Sequence, residues 1–177
     1  GKKLSYNNYN DLFSAINISK SLPKNKGTVI IKHGNPCGVS ITKNNINSYK
    51  QALKCDPVSA FGGIVSCNFK INKLLANELS KNFLEIVVGR GFEESAINVL
   101  KRKKNLRIVD SSNLNMNDSE SVVSNFSNLL IQTSDNKIID KKDLKVVSKK
   151  KPNKSIMDNL ISVSNTHLRA HETTNYL

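Results

Sequence analysis

The sequence predicts an α/β protein with a mainly parallel sheet, on three observations. Short β-branched runs recur along the chain, at Val29-Ile30-Ile31, Ile64-Val65, Ile86-Val87-Val88 and Ile108-Val109. Between them lie segments whose apolar residues repeat at helical spacing. The connections between residues 10 and 109 are short, as alternating helices and strands require. In such a sheet, ligands are expected at the carboxyl ends of the strands.

The elements follow in order. Residues 10–22, NDLFSAINISKSL, predict a helix with Asn10 as N-cap and Leu12, Phe13 and Ile16 on its apolar face. Gly27 breaks it, and residues 28–32 predict a buried strand ending on Lys32 and His33. Gly34, Asn35, Pro36, Cys37 and Gly38 then read as a stiff loop. Ile46, Tyr49 and Leu53 predict a helix over NINSYKQALKC, and a Gly-Gly pair launches a strand in GGIVSCN (62–68). Ile71, Leu74, Leu75 and Leu79 share one helical face, followed by a strand at 85–89. EESAINVLKRK is a helix with acids first and bases last, as the helix dipole prefers, and residues 105–109 are a strand. Residues 111–121, SSNLNMNDSES, predict a flexible polar loop. FSNLLIQT and LKVVSKK predict two further strands, and SIMDNLISV a last helix opened by Ser155 and Asp158 as a capping signal.

Composition narrows the function classes. A mean hydropathy of −0.38 and 38% hydrophobic residues suit a globular chain. No apolar run approaches the ~20 residues of a membrane span. The start, GKKLSYNN, lacks both an initiator methionine and the apolar core of a signal peptide, so it is expected to be an internal start. Cys37, Cys55 and Cys67 form no C-x-x-C pair, which argues against a zinc knuckle or a disulfide framework and for a reducing cytoplasm. The net charge of +13 raises nucleic-acid binding, but only four of the 27 basic residues are arginine (Arg90, Arg102, Arg107, Arg169) and aromatics are 6%. A lysine-coated solvated surface is the better reading, with no nucleic-acid partner expected. Its positive field would still attract small anions. The tail, THLRAHETTNYL (166–177), resembles the translation of a sequencing adapter. The His167–His171 spacing would suit a metal on a helix, but no metal is expected.

Lys32-His33 is the candidate acid–base site. A polar strand end explains it equally well on the residues alone. In favour of chemistry, the strand fixes both side chains, and a neighbouring ammonium favours a neutral, proton-accepting imidazole. Cys37 beside His33-x-Asn35 superficially suggests a zinc deaminase, but the required glutamate and second cysteine are absent. A packed or idle thiol is expected. In CDPVSAFGG (55–63), a tight turn before a strand competes with a ligand loop in which Phe61 stacks on a ring and Gly62 admits a ligand to the backbone.

Taken in order, LSYNN, VIIKHGNPCGVS, DPVSAFGGIVSCN, FLEIVVG, FEESAINVLKRKKNLRIV and LKVVSKKKP resemble the AICAR transformylase domain of the bifunctional purine biosynthesis enzymes, over residues 1–163. The resemblance implies a three-layer, cytidine-deaminase-like α/β/α unit, the first of two tandem units. It implies formyl transfer from 10-formyltetrahydrofolate to AICAR, giving FAICAR, in an enzyme that also has an IMP cyclohydrolase domain and shares its sites across a homodimer. By similarity, His33 accepts the amine proton and Lys32 stabilises charge at the formyl centre. Gly34, Asn35, Pro36 and Gly38 shape the loop, and Asn8, Phe61, Gly62 and Glu85 contact AICAR. Arg90 in VVGRG departs from the family's usual proline. The family's upstream RYGENPHQ-like and downstream KSNAI segments have no counterpart here, so the chain alone is expected to be inactive. The alternative is a nucleotide-binding module without transfer chemistry.

Overall fold

In a computed structural model of the chain, the structure describes residues 2–114, 120–133 and 138–167. They fall into two compact units, one built on residues 1–113 and one on 114–168.

The first unit is a mixed α/β structure. Its sheet contains β1 (Gly27–Lys32), β2 (Asn35–Ile41), β3 (Ile64–Cys67), β4 (Ile86–Gly89) and β5 (Arg107–Asp110), in the order β2-β1-β3-β4-β5. β3, β4 and β5 are parallel, whereas β1 runs antiparallel to both β2 and β3. The mainly parallel expectation is thereby corrected to a mixed sheet. The cause is local: the chain leaves β1 through a two-residue turn instead of a helical crossover.

That turn also corrects the loop assigned to Asn35, Pro36 and Gly38. All three lie in β2, with Lys32 paired to Asn35 across the turn His33-Gly34. His33 (φ 54°) and Gly34 (φ 76°) both adopt left-handed backbone, the requirement of the hairpin turn whose twist matches paired strands. Proline and glycine suggested a loop. β2 is an edge strand, though, where a missing N–H is tolerated. The register slips between Ile30 and Ile31, whose partners are Gly38 and Pro36, so Cys37 is the extra residue of a β-bulge. Gly38 is required by packing: a Cβ there would sit 2.0 Å from the Ala52 carbonyl oxygen.

Helices cover both faces of the sheet. α1 (Tyr6–Ser21) packs on β1 and β3, where the Ser66 hydroxyl donates to Ser19 Oγ at 2.8 Å. On the opposite face, Ile30, Val65, Cys67 and Val87 form one apolar cluster with three helices. These are α2 (Asn45–Cys55), α3 (Lys73–Ser80) and α4 (Glu94–Leu100), contributing Tyr49, Leu75, Leu79 and Leu100. Each such side chain contributes roughly 1.5–3 kcal/mol by leaving water. α1 begins before the predicted Asn10. Ser5 is its N-cap, its hydroxyl accepting from the Asn8 N–H while the Asn8 side chain accepts from the Ser5 N–H. At the far end of α1, Asn68 donates to the carbonyls of Ser19, Leu22 and Pro23 and accepts from the N–H groups of Lys26 and Gly27.

In the second unit, β6 (Ser121–Asn125) and β7 (Asn128–Gln132) form a hairpin. β7 falls within the predicted strand FSNLLIQT, but Phe126 belongs to the turn (φ 52°) and the partner precedes it in sequence. LKVVSKK is not a strand; a partner two residues away closes a far smaller loop. A 3-10 turn covers Lys141–Asp143, and α5 runs from Lys154 to His167. Asn153, not Ser155, caps α5, its side-chain oxygen accepting from the Ile156 N–H at 2.9 Å. Of the predicted flexible loop at 111–121, residues 115–119 lie outside the described residues, as do residues 168–177 with His171. Among the described residues no helix is long and apolar enough to cross a membrane.

Two measurements check this packing. Gly38→Ala, forcing a methyl against the Ala52 carbonyl, is expected to cost about 2 kcal/mol in urea unfolding; an unchanged midpoint contradicts the contact. Burial pushes the Tyr49 phenol up to about 12 from its ordinary 10.0, although Asn82 donates to its oxygen. The folded phenol thus holds its proton where the unfolded one loses it. The resulting stability is whole below pH ~10 and lost as pH rises towards ~12. Tyr49→Phe is expected to flatten the alkaline fall in unfolding free energy over that window.

Candidate active site

The site assembles at one end of the sheet. Because β1 runs against β3, the end of β1 lies beside the beginnings of β3, β4 and β5: Ile31 pairs with Ile64, Ile64 with Ile86, and Ile86 with Arg107. Lys32 therefore stands at a strand's carboxyl end, while Phe61, Gly62 and Glu85 precede strands. Of the candidate residues, only those following β1 occupy the carboxyl-end position that the sequence led one to expect.

The Lys32 ammonium donates to the Phe61 carbonyl at 2.7 Å, fastening the 56–63 loop to the end of β1. His33 is exposed on the turn. Its backbone N–H donates to Asp11 Oδ2 at 3.3 Å, and that of Gly34 to Asp11 Oδ1 at 2.6 Å. One carboxylate on α1 thus holds both left-handed residues. Left-handed backbone at a non-glycine residue costs on the order of 1 kcal/mol or more, and these two bonds offset it.

The 56–63 loop is a series of turns. Asp56 accepts from the Ser59 N–H at 2.9 Å, and its hydrogen bonds with Ser59 hold the carboxyl below its ordinary range. Gly62 has φ 73° and donates its N–H to the Phe83 carbonyl at 2.9 Å. The Phe61 and Phe83 rings are tilted, with centroids 5.1 Å apart, and both are exposed.

A second group of contacts joins the start of α1 to β4 and β5. The Asn8 amide donates to Glu85 Oε2 at 2.6 Å, and Arg107 lies 3.7 Å from the same oxygen. Arg107 also donates to the carbonyls of Lys2 and Lys3. Asn8 is buried, and both ends of its amide are engaged by protein partners, whereas the Glu85 side chain stays 40% exposed.

Cys37, packed as the bulge residue against the core, is poorly suited to be a nucleophile. Burial pushes its thiol up, the Asp56 and Asp11 carboxylates push the same way, and Lys32 only partly opposes them. Among the described residues no three His, Cys, Asp or Glu side chains gather as a metal site would need.

The structure brings Lys32, His33, Phe61, Gly62 and Glu85 to one sheet end. Asp11, Phe83 and Arg107 were not found from sequence. Arg107 could have been noticed as one of only four arginines. Asp11 carried no signal, since its partners are backbone groups.

The profile of the AICARFT/IMPCHase bienzyme family matches residues 1–170, and the chain belongs to that family. It is 50% identical over 109 residues to the bifunctional purine biosynthesis protein PurH of Thermoanaerobacter sp. (strain X514), covering 62% of this chain and 21% of that protein. The PurH of Aquifex aeolicus (strain VF5) is 44% identical over 109 residues, 62% of this chain and 22% of its own length. That of Caldicellulosiruptor saccharolyticus is 49% identical, also over 109 residues, 62% of this chain and 21% of its own length. The chain spans about a fifth of the length of these relatives.

The thiols provide a test of the site's packing. Iodoacetamide at pH 8 is expected to label exposed Cys55 first and half-buried Cys37 more slowly, because burial and the neighbouring carboxylates hold the Cys37 thiol up. Cys67, fully buried with its thiol pushed up to about 12, should label only on unfolding. Peptide mapping of labelled chain reads all three, and Cys37 labelling first would contradict the bulge geometry.

Proposed function

We propose that this chain contributes the proton-handling end of a formyl-transfer site in purine biosynthesis. The reaction is transfer from 10-formyltetrahydrofolate to the 5-amino group of AICAR, giving FAICAR. The AICAR amine is conjugated to a carboxamide-bearing ring and is a poor nucleophile, so the site must hold two substrates in register and remove a proton as the new bond forms. The amine nitrogen attacks the formyl carbon, the amine proton passes to His33 directly or through the carboxamide, and the bond to folate N10 breaks as that nitrogen takes up the proton His33 had accepted. Lys32 stabilises the charge that gathers on the formyl oxygen. Phe61, Gly62 and Glu85 bind AICAR, and Asn8 acts on it through Glu85. No metal takes part.

What supports this reading is the exposed histidine on a rigid turn, one residue from a lysine fastened to the Phe61-Gly62 loop, in a chain of this family. The further architecture proposed is the family's: a cytidine-deaminase-like unit that pairs with a second such unit, works as a cytoplasmic homodimer, and accompanies an IMP cyclohydrolase activity in the whole protein. The 177 residues alone are then inactive.

In the longer family protein carrying this segment, His33→Ala is expected to lower kcat by about 10²-fold or more. An unaltered rate overturns the assignment. AICAR binding without any transfer by the longer unsubstituted protein would favour a non-catalytic nucleotide-binding module instead. FAICAR formation by the isolated chain would refute its predicted inactivity.

A further inference from the structure

We infer that Asp11 is the positioning residue of the site: its carboxylate sets the orientation of His33 by accepting both backbone N–H groups of the His33-Gly34 turn. The inference rests on the reading of His33 as the proton acceptor.

The geometry is specific. Asp11 lies on α1, one helical turn beyond Asn8, and its two oxygens are divided between the two turn residues, Oδ2 to His33 at 3.3 Å and Oδ1 to Gly34 at 2.6 Å. Both acceptors belong to one rigid group, so together they fix the plane of the turn as well as its position. Both residues are left-handed, and His33 is the one without glycine's freedom. Without that carboxylate the two-residue turn could shift, and the Cα–Cβ bond that carries the exposed imidazole would shift with it. The carboxylate therefore fixes the backbone from which the imidazole projects, and it does so without engaging a ring nitrogen.

α1 carries the same logic to the neighbouring subsite. Asn8 and Asp11 are three residues apart, so they project from one side of the helix. Asn8 reaches Glu85 and Asp11 reaches the turn. A single helix thus sets the spacing between the proton acceptor and the acidic group proposed to meet AICAR, and its own position is fixed at the other end by Asn68.

Two substitutions separate positioning from simple folding. Asp11→Asn keeps the size but turns one acceptor into a donor facing an N–H. Asp11→Glu keeps both acceptors. In the 177-residue chain, amide hydrogen exchange at His33 and Gly34 is expected to accelerate about tenfold or more in Asp11→Asn, the scale of a charged hydrogen bond, with the Val65 amide in β3 unchanged as reference. In the longer family protein, Asp11→Asn is expected to lower kcat about tenfold while KM for both substrates stays within twofold, and Asp11→Glu to recover most of that loss. Unchanged exchange at both turn amides overturns the inference, as does a rise in KM with kcat intact, or a Glu variant no better than Asn. If His33→Ala leaves transfer unaltered, the catalytic reading fails, and the exchange measurement still decides whether Asp11 holds the turn.

Discussion

The direction of β1 constrains everything at the site. A strand antiparallel to β3 delivers its last residues to the sheet end where three other strands begin. Loops before β3 and β4 then lie beside Lys32, and the β1–β2 turn projects over the start of α1. Had β1 joined β3 in parallel, Lys32 would lie at the opposite end from Phe61, Gly62 and Glu85. The close sequence neighbours Val29, Ile30 and Ile31, all fully buried, hold that direction by packing on both faces.

Much of the fold was legible because it follows from periodicity. α2 is observed over the residues that Ile46, Tyr49 and Leu53 indicated, and β4 lies within the strand expected at 85–89. Errors cluster where short polar residues choose among local hydrogen bonds. Ser5 displaces Asn10 and Asn153 displaces Ser155, since serine, asparagine and aspartate all cap, and only tertiary position decides which one does. The β2 strand was hidden for a different reason. Pro36 and Gly38 carry loop chemistry, yet one is admitted by an edge position and the other is demanded by a helix lying against it.

The site was legible in the same uneven way. Side chains that end a strand or sit among glycines announce themselves, and Lys32, His33, Phe61 and Gly62 became candidates in that way. Groups that act on backbone atoms do not. Asp11 bonds to two N–H groups twenty-odd residues away, a relation with no trace in composition or spacing. The Lys32 ammonium, singled out for its charge, also holds a loop carbonyl, a fact visible only once β1 and the 56–63 loop share a sheet end.

The bulge at Cys37 has a consequence for assembly. An edge strand presents a row of unpaired peptide groups to solvent, and a flat one invites another chain to continue the sheet. β2 is not flat: Pro36 removes a donor from the row, and the extra residue beside it breaks the two-residue repeat that an incoming strand would have to match. The residues that follow the lysine–histidine turn thus also terminate the sheet on that side. The strand that pairs with β1 across the His33-Gly34 turn is thus also the one that guards the sheet against aberrant strand addition.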